Sequence, residues 1–184
     1  MKKLLLVFAL LFCLCGCQKT GPEYLVSSIG FDCVNGQYNV CFEAIIINTE
    51  NTEQTVKLLK GTGSTIEAAV KQIEKQCTQP LLLSHCGVIA IGEGVTDYKL
   101  RKIGDYCYSQ DQITLSAYFV RCKNAEKLLS VKPLSSACAG YDIMSLIKEN
   151  NRRKNRFFEV ISAEYEIPLP HISLKNGGLT FVGN

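Results

Sequence analysis

The sequence predicts an α+β fold in which helices pack on a mixed β-sheet of about five strands. Three observations carry this prediction. Two apolar, β-branched runs near the amino terminus are separated by a short Asn-Gly turn, which is typical of a β-hairpin. Further along, segments with strand character alternate with segments of helical periodicity, which indicates parallel or mixed strand pairing. The 184 residues are enough for one domain with a hydrophobic core.

Ahead of this domain, the first sixteen residues have the pattern of an export signal. Two lysines precede LLLVFALLFCL, an apolar run of about eleven residues that is too short to cross a membrane as a stable helix. The run ends in Leu-Cys-Gly-Cys (14–17), which resembles a bacterial lipobox. The alternative is an ordinary cleaved signal that happens to contain cysteines. The lipobox predicts a lipoprotein signal peptide at 1–16, lipid attachment to Cys17, a lipidated tether at 17–22 and a domain at 23–184.

The predicted domain opens with a hairpin. Its strands lie at 24–32 and 37–47, and Asn35 and Gly36 form the turn between them. A polar, solvated loop at 48–54 follows the second strand.

A third strand at 55–61 leads into the best-defined helix of the sequence. Ser64 and Glu67 have the spacing of a capping box, in which each side chain bonds to the backbone N–H of the other residue. An apolar stripe predicts the buried face of this helix: Ile66, Ala69, Val70, Ile73 and Cys77. The glycines of GTGST (61–65) could form a phosphate cradle or a plain turn into a capped helix. The turn is favoured because the lysine and Ser/Thr of a Walker loop are missing in the required order.

The middle of the chain predicts a strand at 85–92, a helix at 98–109 and a strand at 113–122. The remaining elements are a short helix capped by Asn124 and ending at Leu129, a chain break at Pro133, helices at 141–150 and 157–165, an extended segment at 167–171, and a hairpin around Asn176, Gly177 and Gly178.

Charge and cysteine usage exclude some classes of protein. The chain has 20 Lys and Arg against 17 Asp and Glu, and loss of Lys2 and Lys3 with the signal leaves it near neutrality, whereas nucleic-acid-binding domains are strongly basic. Cys13 and Cys15 would also leave with the signal. The cysteines beyond Cys17 form no CxxC pair, and their apolar surroundings favour buried free thiols over metal ligands or a disulfide framework. They are Cys33, Cys41, Cys77, Cys86, Cys107, Cys122 and Cys138.

Few other residues suggest chemistry. His85 and His171 have no nucleophile or carboxylate pattern around them. We therefore expect His85 to be a packing and hydrogen-bonding residue at the mouth of a strand, and His171 to be a loop residue. The basic run NRRKNR (151–156) favours a solvated loop, with contact to anionic lipid headgroups or an acidic partner loop as the alternative. Three tyrosines occupy positions that suit core or half-buried packing: Tyr106, Tyr108 and Tyr118. No catalytic residue, cofactor site or metal site is predicted.

The lipobox and five later segments, in this order, resemble the amino-terminal domain of the Ger(x)C family, the lipoprotein C subunits of spore germinant receptors. The matching segments are IGFDCVNGQYNVCFE, GTGSTIEAAVKQI, SHCGVIAIGEGV, QITLSAYFVRCKNAEKLL and LTFVG. Ser84 stands where the family commonly has glycine, and the aromatic-acidic pair that follows the lipid cysteine in the family is replaced by Gln18 and Lys19. The resemblance covers nearly the whole mature chain and about the first half of a typical family member.

This resemblance implies a non-catalytic lipoprotein, acylated at Cys17, on the outer face of the spore's inner membrane. It would assemble with integral-membrane A and B subunits and take part in the response to small nutrient germinants. The alternative, from a different class, is a free-standing lipoprotein that binds a small solute or peptide for uptake or sensing. A small exported enzyme has the least support because no nucleophile–base or metal constellation appears.

Overall fold

The computed structural model describes residues 21–48, 53–150, 155–163, 168–175 and 177–183. The strands are β1 (Glu23–Val34), β2 (Gln37–Ile47), β3 (Gln54–Gly63), β4 (Leu81–Leu82), β5 (Val88–Gly92), β6 (Tyr118–Cys122), β7 (His171–Lys175) and β8 (Gly178–Gly183). The α-helices are α1 (Ile66–Glu74), α2 (Asp97–Ser109), α3 (Ala125–Leu129), α4 (Ala139–Asn150) and α5 (Phe157–Ser162), and Leu83–His85 form a 3₁₀ turn.

The amino-terminal hairpin is confirmed. β1 and β2 are antiparallel, and the turn between them holds Asn35 at a φ of 50° and Gly36 at a φ of 82°. Positive φ at both central residues is the geometry that favours Asn-Gly in two-residue hairpins. β3 continues the antiparallel pairing on the other side of β2. It is longer than predicted, because Thr62 and Gly63 still belong to the strand.

The first helix forms where its apolar stripe predicts, but its cap differs. Thr65, not Ser64, is the N-cap residue, and its hydroxyl accepts a hydrogen bond from the Ala68 N–H at 3.2 Å. The strand runs on to Gly63, so the turn into the helix starts later than expected. Four residues of the predicted stripe are buried, whereas Cys77 lies beyond the end of the helix and is half-buried.

The sheet is mixed, and it has eight strands rather than about five. The order is β3-β2-β1-β5-β6-β7-β8, and β4 pairs with β1 off this path. β1, β5 and β6 are parallel to one another, as is the β6–β7 pair, whereas β7 and β8 form an antiparallel hairpin. The additional strands are the two-residue β4 and the closing hairpin, which joins the same sheet as the rest.

Two central strands are shorter than predicted because turns replace their first residues. β5 begins only at Val88, after the 3₁₀ turn. β6 begins at Tyr118, because the Ile113 N–H bonds to the Gln110 carbonyl and the Ala117 N–H to the Thr114 carbonyl, which closes two turns. Apolar character alone does not distinguish such turns from a strand.

Hydrophobic clusters cover both faces of the sheet. One cluster contains residues of α1, α2 and α5, and includes Ile73, Ile103 and Phe157. The other contains residues of α3 and α4, and includes Leu128 and Ile143. β5 lies between them, and all five of its residues are buried. This explains its continuous apolar sequence, since a strand covered on both faces has no solvent-facing side.

The later elements match the predictions with two changes. α3, with Asn124 as its N-cap, and α4 are confirmed. α5 ends at Ser162, short of the predicted 165, and residues 164–167 lie outside the described residues. His171 is the first residue of β7 rather than a loop residue. In the described ranges, no helix has the length and apolar character needed to cross a membrane.

Candidate functional site

Cys17, the predicted lipidation site, lies outside the described residues, so its modification stays a prediction. The described residues begin at Gly21, two residues before β1. The tether predicted at 17–22 would therefore join the domain at the start of the first strand of the hairpin.

The polar centre of the domain is the carboxylate of Glu43, which is 2% exposed. Its Oε1 accepts a hydrogen bond from the Ala139 N–H at 2.7 Å, and its Oε2 accepts one from the Gly140 N–H at 2.8 Å. These are the first two residues of α4, whose leading N–H groups have no partner within the helix. A strand carboxylate thus serves as the N-terminal cap of a helix that lies far away in the sequence.

Two serines complete the bonding of this carboxylate. The hydroxyls of Ser27 and Ser28 each donate to Oε2 of Glu43 at 2.8 Å. Both can reach it because the register of β1 shifts between Val26 and Ser28, a bulge that sets two residues of β1 against one of β2. The buried carboxyl group of Glu43 therefore accepts hydrogen bonds from four donors within the fold.

A second buried carboxylate, Asp32, caps α3 in the same way. Its oxygens accept hydrogen bonds from the Ala125 N–H at 3.0 Å and from the Glu126 N–H at 3.1 Å. Burial raises the pKa of Asp32 above its usual value, although the two backbone N–H groups oppose the shift. Gly92 lies against this carboxylate so closely that a Cβ at position 92 would overlap the Asp32 oxygen.

A third carboxylate, Asp142, orders the segment that leads into α4. It accepts hydrogen bonds from the Leu134 N–H at 2.6 Å and from the Ser135 hydroxyl at 2.9 Å. Burial acts to raise the pKa of Asp142, but these bonds and one from Ser136 outweigh it, so the pKa lies below its usual value.

This lowered pKa predicts a pH-dependent contribution to stability. A depressed carboxylate pKa stabilises the fold at pH values above the unfolded-state value of 3.8, and the stabilisation is lost as the pH falls through the folded-state value. Asp142→Asn should therefore cost a constant amount above about pH 5, and the difference from wild type should shrink below about pH 4. Urea unfolding of both proteins at a series of pH values from acidic to near neutral measures this difference in the free energy of unfolding. A difference that grows on acidification, the sign expected for the raised pKa of Asp32, would contradict this assignment.

In the GTGST segment, Gly61 to Gly63 end β3, and Ser64 and Thr65 alone make the turn into the capped helix that the favoured interpretation predicts. Gly61 packs against α1 so tightly that a Cβ there would overlap the Ala69 carbonyl. The Ala68 N–H, which a phosphate would need, is already bonded to Thr65. Glu67 stands in the first turn of the helix and would repel an anion.

Among the described residues, the two histidines form no catalytic set. His85 is exposed at the end of the 3₁₀ turn, so the packing role predicted for it is wrong, and its Nδ1 lies 3.2 Å from the Ser84 hydroxyl. His171 Nε2 is 4.0 Å from Glu93 Oε1, and its Nδ1 is buried without a hydrogen-bond partner among the described residues. Within the same ranges, no three His, Cys, Asp or Glu side chains are grouped so that they could hold a metal ion.

The seven cysteines of the domain are free thiols, and most of them are core residues. Five are buried, while Cys33 and Cys77 are half-buried. Burial raises the pKa of both Cys86 and Cys122 to about 12, so these thiols stay protonated and unreactive at neutral pH. The prediction that the cysteines pack as small hydrophobic residues is confirmed for these buried positions.

The packing predictions for Tyr106 and Tyr118 are confirmed, the one for Tyr108 is not, and most of the basic run lies outside the described residues. Tyr106 is buried, and Tyr118 is half-buried beneath the Arg156 guanidinium, 5.7 Å from its ring centre. The prediction for Tyr108 was wrong, since its side chain is 65% exposed. α5 packs beside Gly104, one helical turn before Tyr108 in α2, and leaves the turn that contains Tyr108 uncovered. Of the basic run, residues 151–154 lie outside the described residues.

A pocket of about 470 Å³ opens beside α1, and its volume is in the range of small-molecule sites. Its wall includes Phe42, Val70, Glu74, Cys77 and Tyr106, and no histidine. Burial raises the pKa of Cys77, so this thiol is not an activated nucleophile. The wall of the pocket contains the Glu74 carboxylate, but its lining residues include no nucleophile–base pair.

Sequence reasoning assigned no role to the carboxylates of Glu43, Asp32 and Asp142. The available signal was an acidic residue within an apolar strand, as in the segments GFD and CFE. Such an acid must be paired if it is buried, but the sequence does not say with what.

Together, the fold and its polar interior define a class of module, an α+β domain whose buried acids hold helices onto a mixed sheet. The model of one family, the spore germination protein N-terminal domain, matches residues 23–167. The chain therefore belongs to the Ger(x)C family of spore germination proteins, the germinant receptor subunits, and no enzymatic family is indicated. No curated protein and no solved structure is significantly similar to the chain.

Proposed function

We propose that the chain is a membrane-anchored lipoprotein subunit of a spore germinant receptor, and that it acts without catalysis through assembly with the integral-membrane A and B subunits. The observation that carries this proposal is the position of the family match. It begins at residue 23, six residues after the cysteine of the lipobox. A lipid cysteine directly before a germination domain is the arrangement expected of an anchored subunit.

The interior of the domain supports a structural role. The family-like segments contain Asp32 and Glu43, and both carboxylates bond to helix N-termini rather than lining a pocket. Gly61 and Gly92 in the same segments are sites of close backbone packing. The residues that carry the resemblance therefore maintain the shape of the domain, which suits a part that works by presenting a surface to partners.

In this proposal, residues 1–16 are removed, Cys17 becomes the acylated amino terminus, 17–22 form the tether, and the domain at 23–184 lies on the outer face of the spore's inner membrane. Two or more acyl chains would hold it stably, whereas a single chain gives marginal binding.

The anchor is tested by Cys17→Ala. We expect the variant to move from the membrane fraction to the soluble fraction, and the wild-type amino-terminal peptide to carry the mass of a diacylglyceryl-modified cysteine at position 17. Cys33→Ala is the matched control, because Cys33 is a half-buried cysteine of the domain outside the lipobox, and it should leave the distribution unchanged. An unmodified Cys17 in a membrane-bound chain would contradict the lipid anchor.

A further inference from the structure

The tether restricts how the domain can stand on a membrane. Gly21 is four residues beyond Cys17, and a chain spans at most about 3.6 Å per residue, so Gly21 lies within about 14 Å of the lipidated cysteine in any conformation. β1 begins two residues later and extends for twelve residues, about 36 Å from first to last. The start of β1 must therefore be near the bilayer, and its end can point away from it.

The directions of the other strands show which surfaces share the membrane-proximal end. β5 and β6 are parallel to β1, with Ser28 opposite Val88 and Val88 opposite Tyr118. The turns at 113–117, which lead into β6, therefore face the side from which the tether departs, at about the level of the middle of β1. α2 returns from the far end of β5 to this same side and ends at Ser109.

Besides Val56 of β3, which lies level with Leu25 of β1, other large apolar side chains are exposed on this side. Leu115 is 46% exposed, Phe158 is 44% exposed and Tyr108, in the last turn of α2, is 65% exposed. Leu115 and Phe158 are neighbours, because the Phe158 N–H donates to the Leu115 carbonyl at 3.2 Å. We call these three residues the anchor-side patch. Arg156, two residues before Phe158, supplies an exposed positive charge beside it.

These side chains fit the interface of a bilayer. Aromatic residues concentrate at the headgroup level of membranes, and aliphatic side chains beside them gain free energy by leaving water. A nearby arginine can reach lipid phosphates. By contrast, Tyr98 at the start of α2 lies toward the far end and already carries the Lys102 ammonium 4.9 Å from its ring centre.

We propose that the anchor-side patch rests in the interface of the same bilayer that holds the Cys17 lipid, so that the domain has one fixed orientation with the far ends of β1 and β5 turned outward. This inference rests on the proposed lipidation of Cys17. The acyl chains limit the distance between the domain and the bilayer. Tyr108, Leu115 and Phe158 fix the angle at which the domain stands on the bilayer.

The chain contains no tryptophan, which makes a direct test possible. Phe158→Trp and Tyr98→Trp each introduce one fluorophore at an exposed aromatic position, the first in the patch and the second toward the far end of α2. The acylated full chain of each variant is reconstituted in vesicles of phosphatidylcholine and phosphatidylglycerol, with and without brominated acyl chains. We expect bromine to quench the indole emission of the Phe158→Trp variant several-fold and to leave that of the Tyr98→Trp variant nearly unchanged. Leu115→Trp is the second probe if Phe158→Trp lowers the thermal stability.

Flotation of the vesicles and the mass of the amino-terminal peptide separate the two levels of failure. If the chain floats and carries the lipid, but patch and far-end fluorophores are quenched equally, the fixed orientation is wrong and the anchor stands. If the peptide carries no lipid, the anchor and the orientation derived from it both fall.

Discussion

Glu43→Ala is expected to lower the free energy of unfolding by about 3–5 kcal/mol, because it leaves buried donors without an acceptor. The two serine hydroxyls and the first two N–H groups of α4 all bond to this one side chain. An unsatisfied buried donor costs about 1–3 kcal/mol, and the truncated side chain also leaves a cavity. A loss of this size removes much of the stability of a typical domain.

Urea unfolding of the purified protein, followed by circular dichroism, measures this effect. Glu43→Gln keeps one acceptor oxygen, so it should fall between wild type and Glu43→Ala. Glu149→Ala is the matched control, since Glu149 is exposed on α4, the helix that Glu43 caps. Its loss should change stability by less than about 0.5 kcal/mol. Equal stabilities for Glu43→Ala and Glu149→Ala would show that the buried network contributes nothing to the fold.

Gly92→Ala should be the second severe change, with a loss of about 3 kcal/mol. The new methyl group would occupy the space of the Asp32 carboxylate, so either β5 shifts or Asp32 releases the N-terminus of α3. Both the overpacking and the lost cap act in the same direction.

The comparison for this variant is Gly178→Ala, at the first residue of β8. A Cβ there meets the Lys175 carbonyl at an ordinary 3.7 Å, and the φ of Gly178 is not positive. Thermal unfolding should show a clear drop in Tm for Gly92→Ala and little change for Gly178→Ala. A Gly92→Ala protein as stable as wild type would show that the cap that Asp32 forms on α3 does not depend on the absence of a side chain at position 92.

Local signals explain what could be predicted of the fold. The Asn35-Gly36 turn and the stripe on α1 depend on residues close in sequence. The turn is confirmed, and so is the stripe except for Cys77, which lies beyond the end of the helix. The strand count was low because β4 is only two residues long and exists through its pairing with β1, and because the closing hairpin, β7 and β8, joins the sheet through β6. β6 is shorter than predicted because the turns at 113–117 are as apolar as the first residues of a strand, so the sequence does not distinguish the two.

The interior network could not be predicted, because its partners are distant in the chain. Glu43 bonds to a residue 96 positions away, and Asp32 to one 93 positions away. A single sequence shows the acid in its apolar strand but not the helix that arrives to bond with it. Tyr108 was misjudged for a related reason, since its exposure depends on how far α5 reaches along α2.

Spores that carry Cys17→Ala as their only copy test most directly whether this chain serves germination as a membrane-anchored subunit. We expect these spores to respond to nutrient germinants as poorly as spores without the gene, while the Cys33→Ala control germinates normally. Normal germination with the Cys17→Ala protein released from the membrane would contradict it.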